Sequence, residues 1–336
     1  LDGSQLNVTY ELYRDDMPQG IFISGTGGPI TFGPQGVPGT YAARAVNDTT
    51  GCTVMMAGKP EITINPLPLW FTVTGGGSYC DGGAGVEIGL TGSQLGVKYE
   101  LLWGPACCCN DSLIATVYGT GYAINFGNIT GAGTYAVFAT DTTTGCTNDM
   151  YGCVPVIINP LPTAHVTGDD TICLGENADI TVDLTGTAPW NIEFSDGTMH
   201  YGVFMNPYIY TLNPTATETY TVVGVTDGNG CFNTGTGSAT IVVNPLPPVD
   251  AGPDVEICLN ECTTLLASGA GVGGSYLWSN GTTTADNYVC PTATTTYAVT
   301  ATDINGCTAA DEVMVTVHPL PTADAGQDVG ICYGAC

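Results

Sequence analysis

The residues best suited to chemistry in this sequence are its 15 cysteines. Cysteines in a secreted chain usually pair as disulfides, because extracellular compartments are oxidising. Cys107, Cys108 and Cys109 are consecutive, and thiolates also bind zinc or copper(I). Zinc ligands, however, are usually spaced about two to four residues apart in two clusters, often with histidine. We therefore interpret the cysteines as structural and expect no bound metal.

Motifs for catalysis are missing from the sequence. It contains no Gly-x-Ser-x-Gly elbow, P-loop or His-Glu-x-x-His motif. Histidine is the commonest general base, but the three histidines fall at unrelated positions: His165, His200 and His318. We expect a protein that is not an enzyme and uses no cofactor.

The charge balance excludes two classes of partner. The sequence has 31 acidic side chains against 4 basic ones, a formal net charge of −27. Such a chain cannot replace the counterions of phosphates, which excludes nucleic acid as a partner. Anionic membrane surfaces are excluded for the same reason. The sequence also has no run of about 18 apolar residues, the length that would predict a membrane-spanning helix.

Neighbouring carboxylates offer an alternative that involves a metal. Pairs occur at residues 15–16, 169–170 and 311–312, and calcium prefers oxygen ligands. No EF-hand loop or calcium-binding nonapeptide accompanies them. The favoured interpretation is a solvated acidic surface, and calcium at the domain joints is the alternative.

A short phrase divides the chain into repeats. Asn-Pro-Leu-Pro begins at residues 65, 159 and 244 and recurs as His-Pro-Leu-Pro at residue 318, so the copies are 94, 85 and 74 residues apart. Each copy follows a run in which every second residue is apolar, which predicts a β-strand. Proline lacks the N–H that strand pairing needs and fixes φ, so each phrase is predicted to end a strand and form a stiff joint.

Three further elements recur between the joints. A strand headed by tyrosine leads into an Asp-rich turn that ends in Gly-Cys, and the strand before the joint follows, which predicts a hairpin. Upstream lies a strand with large rings that can fill a sandwich core. After each joint an Ile-Cys or Tyr-Cys pair marks a first strand. The turns are aligned on Asp48, Asp141, Asp227 and Asp303.

The positions of the cysteines suggest disulfide pairs. The third segment holds only Cys173 and Cys231, so oxidation within that segment would link the first strand to the hairpin turn. Each bridge would contribute roughly 3 to 4.5 kcal/mol on a chain-entropy account. Equivalent positions predict the other pairs: Cys80–Cys146, Cys258–Cys307, then Cys262–Cys290, and Cys153 with one of Cys107, Cys108 and Cys109.

Three cysteines lack a partner in this scheme. Cys52 has no preceding first strand, and Cys332 and Cys336 have no following hairpin. Either their partners lie in a longer polypeptide, of which this sequence is an internal or processed piece, or the tail strand completes the open first domain of a neighbouring copy. Both explanations remain open at this point.

The recurring motifs resemble the PKD-like and Ig-like repeats of giant Bacteroidota surface proteins, including SprB-like gliding-motility adhesins exported by type IX secretion. The resemblance is carried by Tyr276–Gly281 (Tyr-x-Trp-Ser-Asn-Gly), Pro291–Tyr297 (Pro-Thr-Ala-Thr-Thr-Thr-Tyr), Thr302–Cys307 (Thr-Asp-x-Asn-Gly-Cys) and the joints. It implies an extracellular, surface-attached chain. The predicted fold is all-β, with tandem Ig-like or PKD-like β-sandwiches in a linear, disulfide-stapled array.

The joints give the expected domain boundaries. Residues 1–68 form an Ig-like domain without its first strand, 69–162 and 163–247 form complete Ig-like domains, 248–321 form an Ig-like or PKD-like domain, and 322–336 provide the first strand of a following domain.

Several turns resemble the Asp-Ser/Thr-apolar sequence that Bacteroidota O-glycosylate. The resemblance implies four acceptor candidates: Thr49, Ser112, Thr142 and Thr171.

The leading functional hypothesis is a non-catalytic stalk or filament segment of a giant surface adhesin. Its partners are neighbouring repeats or copies of itself. One alternative is a fibre subunit that donates its C-terminal strand, Gly330–Cys336, to a neighbour. Another is a glycan-binding adhesin module that contacts surface polysaccharide through these tyrosines: Tyr118, Tyr122, Tyr201, Tyr208 and Tyr210.

Overall fold

The computed structural model describes residues 1–104, 112–328 and 330. The regular secondary structure of these residues is β-strand throughout, so the all-β prediction is confirmed. No helix among the described residues is long and apolar enough to cross a membrane. The chain forms two compact units, Leu1–Ile158 and Asn159–Cys336. We call residues 1–68, 69–162, 163–247 and 248–321 repeats 1 to 4.

Repeat 1 is one sheet with a small core. Its strands are β1 (Val8–Arg14), β2 (Met17–Ser24), β3 (Gly39–Asn47), β4 (Thr53–Met55) and β5 (Glu61–Ile62). The sheet order is β2-β1-β3-β4, and β5 pairs with β3. Few side chains form its buried cluster, namely Val8, Tyr10, Ile30 and Ala45. Three of them also border a cleft of about 490 Å³, so the core of repeat 1 is open on one side.

Repeat 2 closes into a sandwich of two sheets. Its strands are β6 (Val73–Gly75), β7 (Gly77–Cys80), β8 (Val86–Leu90), β9 (Val97–Gly104), β10 (Ser112–Tyr118), β11 (Ile124–Ile129), β12 (Gly133–Asp141), β13 (Thr147–Asp149) and β14 (Val154–Asn159). One sheet has the order β10-β9-β12-β14-β7, with β13 on β12, and the other has the order β11-β8-β6. Tyr99, Leu101 and Val137 are buried between them.

A glycine allows a close chain crossing in repeat 2. The Tyr99 hydroxyl accepts a hydrogen bond from the Gln94 backbone N–H at 2.9 Å. Gly119 passes so close to this segment that a Cβ there would lie 1.8 Å from the Gln94 carbonyl oxygen. Only glycine fits at this position without moving the backbone.

Repeat 3 has three small sheets around the largest buried cluster found among the described residues. Its strands are β15 (Ala164–Thr167), β16 (Asp170–Cys173), β17 (Ala178–Leu184), β18 (Trp190–Phe194), β19 (Met199–Val203), β20 (Tyr208–Leu212), β21 (Glu218–Tyr220), β22 (Val222–Thr226), β23 (Phe232–Asn233), β24 (Thr236–Gly237) and β25 (Ala239–Asn244). The sheet orders are β20-β17-β15-β24, β16-β25-β21 and β19-β18-β22-β23.

Repeat 4 packs two sheets around Trp278. Its strands are β26 (Val255–Cys258), β27 (Thr263–Leu266), β28 (Ser275–Trp278), β29 (Asp286–Val289), β30 (Thr295–Thr302) and β31 (Thr308–His318). The order β26-β31-β30-β28 forms one sheet, and β27 pairs with β29 in the other.

The predicted hairpin is continuous only in repeat 4, where β30 pairs with β31 over eight residue pairs. In the other repeats the strand after the turn is divided into shorter pieces. Gly58 and Gly152, both with positive φ, lie between these pieces in repeats 1 and 2. A left-handed residue bends the strand and ends its pairing.

The first strand of a repeat pairs in parallel with the last strand of the same repeat. This holds for β16 with β25 in repeat 3 and for β26 with β31 in repeat 4. Parallel pairing places the carboxyl ends of both strands at the same end of the repeat. The first-strand cysteine therefore lies beside the joint that follows its own repeat.

Candidate functional site: proline joints and cysteine bridges

A carboxylate shapes each hairpin turn of the second unit. The Asp303 Oδ1 atom accepts hydrogen bonds from the backbone N–H groups of Asn305 at 2.9 Å and Cys307 at 2.8 Å. In repeat 3 Asp227 accepts the same kind of bond from Cys231 at 3.0 Å. The side chains of both turn cysteines are almost fully buried, so the turn holds each sulfur in a fixed position.

The equivalent position in repeat 1 is Asn47, one residue before the predicted Asp48. Asn47 Oδ1 accepts hydrogen bonds from the backbone N–H groups of Thr49 at 3.0 Å and Thr50 at 2.9 Å. The alignment on Asp48 is therefore wrong by one position, because an amide oxygen can also accept the hydrogen bonds of the turn, although without the charge that strengthens those of a carboxylate.

In repeat 2 the capping residue is Asp141, which accepts bonds from Thr143 and Thr144 at 2.8 Å. The N–H group of Thr144, followed by that of Thr143, lowers the pKa of the Asp141 carboxyl below its ordinary value. Both N–H groups favour the ionised form because they donate to it.

This shift predicts a dependence of stability on pH. A carboxyl whose pKa is depressed by folding stabilises the protein fully above its unfolded pKa, near 3.8, and this stabilisation is lost as the pH falls through the lower folded value. We expect the urea midpoint of the wild type to exceed that of Asp141→Asn at pH 6, and the difference to shrink below pH 3.8. The matched control is Asp48→Asn, because Asn47 caps that turn. A difference between wild type and Asp141→Asn that is constant from pH 6 to pH 2.5 would contradict this assignment.

The first-strand cysteines lie beside the joints. Cys173 is the register partner of Asn244, the residue before Pro245, and the Leu174 N–H donates to the Asn244 carbonyl at 2.9 Å. Repeat 4 has the same arrangement, because Cys258 pairs with His318. Sequence reasoning identified these strands but not their parallel pairing.

The turn of repeat 4 lies at the joint between repeats 3 and 4. A cleft of about 270 Å³ is bordered by joint residues Pro245 to Pro248 together with Asp303 and Ile304. The turn of repeat 3 lies instead at the preceding joint, since Asn233, two residues after Cys231, donates its side-chain N–H to the Pro162 carbonyl at 2.8 Å. Cys173 and Cys231 are thus held at opposite ends of repeat 3.

Repeats 3 and 4 are joined covalently across their joint. Cys173 forms a disulfide with Cys307, with a Cα–Cα distance of 5.5 Å. The predicted pair Cys173–Cys231 is wrong, because parallel pairing of β16 carries Cys173 to the far joint, where the turn of the next repeat meets it.

The other predicted pairs have different outcomes. Cys146 and Cys258 are free thiols, so Cys80–Cys146 and Cys258–Cys307 are also wrong. For Cys258 the geometric reason is the same, because parallel pairing of β26 with β31 carries it to the joint that follows repeat 4. Cys262 and Cys290 form a disulfide within repeat 4, with a Cα–Cα distance of 4.2 Å, as expected from the sequence.

The remaining cysteines divide into three groups. Cys80, Cys153 and Cys231 are disulfide-bonded. Cys52 is an exposed free thiol. Five predicted positions lie outside the described residues: Cys107, Cys108, Cys109, Cys332 and Cys336.

Side chains also tie the joints to the repeat that follows. Asn148 donates to the Pro68 carbonyl at 2.8 Å, which matches the bond from Asn233 to Pro162 in repeat 3. In repeat 4 an Asp311 carboxylate oxygen accepts a bond from the Ala251 N–H at 2.8 Å. Each bond fixes the chain where it leaves the joint.

The acidic pairs are occupied by protein donors. Asp16 forms an ion pair with Lys59 at 2.7 Å, Asp169 accepts the Thr240 N–H at 2.7 Å, and Asp311 accepts the Ala251 N–H. Within the described residues no group of three or more His, Cys, Asp or Glu side chains is placed to hold a metal ion.

Two of the five tyrosines proposed for glycan contact make side-chain contacts within repeat 3. Tyr208 and Tyr210 pack against the core of repeat 3. The Tyr208 hydroxyl lies 2.7 Å from His200 Nδ1, and the Tyr210 hydroxyl donates to Asp196 at 3.2 Å. Tyr118, Tyr122 and Tyr201 are exposed. The four acceptor candidates for glycosylation are exposed as well, namely Thr49, Ser112, Thr142 and Thr171.

These features define the class of protein: the described residues form tandem all-β repeats, and disulfides lie both between repeats 3 and 4 and within repeat 4. No family description matches it, and no curated protein matches it in sequence.

Among solved structures, several multidomain ectodomains are similar in part. Sidekick-1 immunoglobulin domains 1–5 share 13% identity with a TM-score of 0.35, over 94% of this chain and 74% of that one. The human desmocollin-1 ectodomain shares 12% with a TM-score of 0.32, over 93% and 75%. The eight N-terminal Ig domains of DSCAM share 12% with a TM-score of 0.29, over 84% of this chain, which spans about half (46%) of that one. We infer nothing about function from similarities this low.

Proposed function

We propose that this chain is a structural segment of an extracellular filament or stalk, in which Ig-like repeats transmit tension along a bacterial surface adhesin. The observation that carries the proposal is the Cys173–Cys307 bridge, which joins repeats 3 and 4 across a proline joint. A bridge inside one repeat would stabilise that repeat alone, whereas a bridge across a joint adds a second covalent connection between neighbours.

The joint is supported in three ways. Pro245 and Pro247 restrict the backbone, the turn residues Asp303 and Ile304 border the joint, and the disulfide closes beside Asn244. Tension that reaches repeat 3 can pass to repeat 4 through the sulfur atoms as well as through the backbone. Such an arrangement suits a segment that carries force and needs no ligand.

The cellular setting of the proposal comes from the motifs. Disulfides favour an oxidising, extracellular location. The resemblance of Tyr276–Gly281 and Thr302–Cys307 to Bacteroidota surface repeats favours surface attachment, export by type IX secretion and a role in gliding or adhesion. O-glycosylation at the exposed acceptor candidates belongs to the same proposal.

Cutting the joint tests this function. A protease recognition sequence inserted between Pro247 and Pro248 allows the full-length protein to be cleaved there. We expect the two pieces to migrate as one species on a non-reducing gel and to separate after reduction, because Cys173 and Cys307 lie on opposite sides of the cut.

Two variants control the cleavage experiment. Cys307→Ser should let the pieces separate without reductant, and Cys258→Ser should behave as the parent, since Cys258 is free. Separation of the parent without reductant would contradict the proposal. Saturable binding of the intact protein to a glycan array, lost on Tyr122→Ala or Tyr201→Ala, would favour an adhesin module instead.

A further inference from the structure

The last strand of repeat 1 has an open edge. Among the described residues, β5 pairs only with β3, whereas β25 and β31 each pair with a neighbour on both sides. Ile64, which follows β5, is 65% exposed. Its counterparts Val243 and Val317 are half-buried against the cores of repeats 3 and 4. The edge beside Ile64 is therefore an apolar surface that a strand covers in the other repeats.

A free thiol lies at the end of this edge. The Cys146 Sγ atom is 3.9 Å from the carbonyl oxygen of Asn65, and Cys146 is a free cysteine. Asn65 precedes the joint of repeat 1, as Asn244 precedes the joint of repeat 3. Cys173 lies beside Asn244 and is bonded to the turn cysteine of the next repeat. Cys146, the turn cysteine of repeat 2, is thus placed where a first-strand cysteine of repeat 1 would meet it.

We propose that this edge is a docking site for a parallel β-strand supplied by residues 322–336 of a second copy of the chain, and that Cys146 forms a disulfide with Cys332 of that copy. The inference deepens the proposed filament function and rests on it. It specifies how one copy joins the next.

The sequence of the tail supports this occupant. Residues 324–332 read Asp-Ala-Gly-Gln-Asp-Val-Gly-Ile-Cys, and residues 250–258 read Asp-Ala-Gly-Pro-Asp-Val-Glu-Ile-Cys, so seven of nine positions are identical. In the structure the second of these segments contains β26, which pairs in parallel with β31 and buries Ile257. A strand docked in the same register would place Ile331 over the edge beside Ile64 and Cys332 beside Asn65.

The covalent step is a two-electron oxidation. The Cys146 and Cys332 thiols each lose one proton and together lose two electrons as the S–S bond forms. A low-molecular-weight disulfide such as oxidised glutathione accepts both electrons and both protons and becomes two thiols.

A synthetic peptide tests the site directly. The probe is residues 322–333 with a biotin at its N-terminus, which contains Cys332 as its only cysteine. It is incubated with the full-length protein in a glutathione redox buffer. We expect a one-to-one adduct by intact mass, and non-reducing peptide mapping should locate the new bond at Cys146.

Matched variants separate docking from random thiol exchange. Cys146→Ser should abolish the adduct, whereas Cys52→Ser and Cys258→Ser should retain it. A peptide with Ile331→Asp keeps the thiol but loses the apolar contact, and we expect at least about a tenfold lower yield, the change that corresponds to about 1.4 kcal/mol of docking free energy.

Three results would overturn the inference. They are the absence of an adduct on protein whose Cys262–Cys290 and Cys173–Cys307 bonds are intact, equal labelling of Cys52 or Cys258, and equal yields with the Ile331→Asp peptide. None of these results affects the Cys173–Cys307 bridge, so the filament proposal would survive them. A failed cleavage test, conversely, would leave the adduct experiment interpretable.

Discussion

Reduction of the bridge between repeats 3 and 4 should lengthen the pulled chain by about 450 Å. The force experiment uses the full-length protein, with non-cysteine handles attached at Leu161 and Thr322. While Cys173 and Cys307 are bonded, the residues between them cannot extend, and the two positions are 134 residues apart. At about 3.3–3.6 Å per extended residue, releasing this loop adds about 450 Å to the length of the extended chain. Single-molecule extension before and after reductant measures that length.

Two cysteine variants serve as controls for the force experiment. Cys258→Ser should leave the oxidised extension unchanged because Cys258 is a free thiol. The double change Cys262→Ser and Cys290→Ser should also leave it unchanged, since that bond lies inside the larger loop. If Cys258→Ser lengthened the oxidised chain, Cys258 would have to be bonded, and the assignment of the bridge across the joint would be wrong.

Replacement of Trp278 by alanine should strongly destabilise repeat 4. The indole is 1% exposed, packs among Ile257, Val299 and Val313, and donates its N–H to the Thr284 carbonyl at 3.1 Å. Truncating a buried tryptophan costs about 3–5 kcal/mol. The whole stability of a small domain is about 5–15 kcal/mol. Hydrogen-exchange protection of β30 and β31 should fall by about two to three and a half powers of ten.

Trp70 provides the matched control, because its side chain is 65% exposed although it contacts the Tyr151 ring. Trp70→Ala should change the free energy of unfolding by no more than about 0.5 kcal/mol. Equal losses of protection in the two variants would show that burial of Trp278 is not the cause.

Much of the local structure could be predicted from the sequence. Alternating apolar residues gave the strands, the prolines of each joint gave their ends, and the tyrosine strand followed by Asp303 and Cys307 gave the hairpin of repeat 4. The Cys262–Cys290 pair was predicted correctly, although the elimination that led to it had paired Cys258 with Cys307, which is bonded to Cys173 instead. These signals are local, and each depends on a few neighbouring residues.

The bridge across the joint could not be predicted in this way. Cys173 and Cys231 are the only cysteines of repeat 3, so elimination paired them on the assumption that each repeat is closed. Parallel pairing of β16 with β25 is a non-local contact that no periodicity reveals.

The offset bridge sets an order for maturation. Cys173 can meet Cys307 only after β30 and β31 have formed the turn of the following repeat. As the chain emerges, the Cys173 thiol must therefore stay reduced until repeat 4 has folded. The Cys173–Cys307 bond therefore forms only after repeat 4 is folded, whereas the bond between Cys262 and Cys290 can form as soon as repeat 4 collapses.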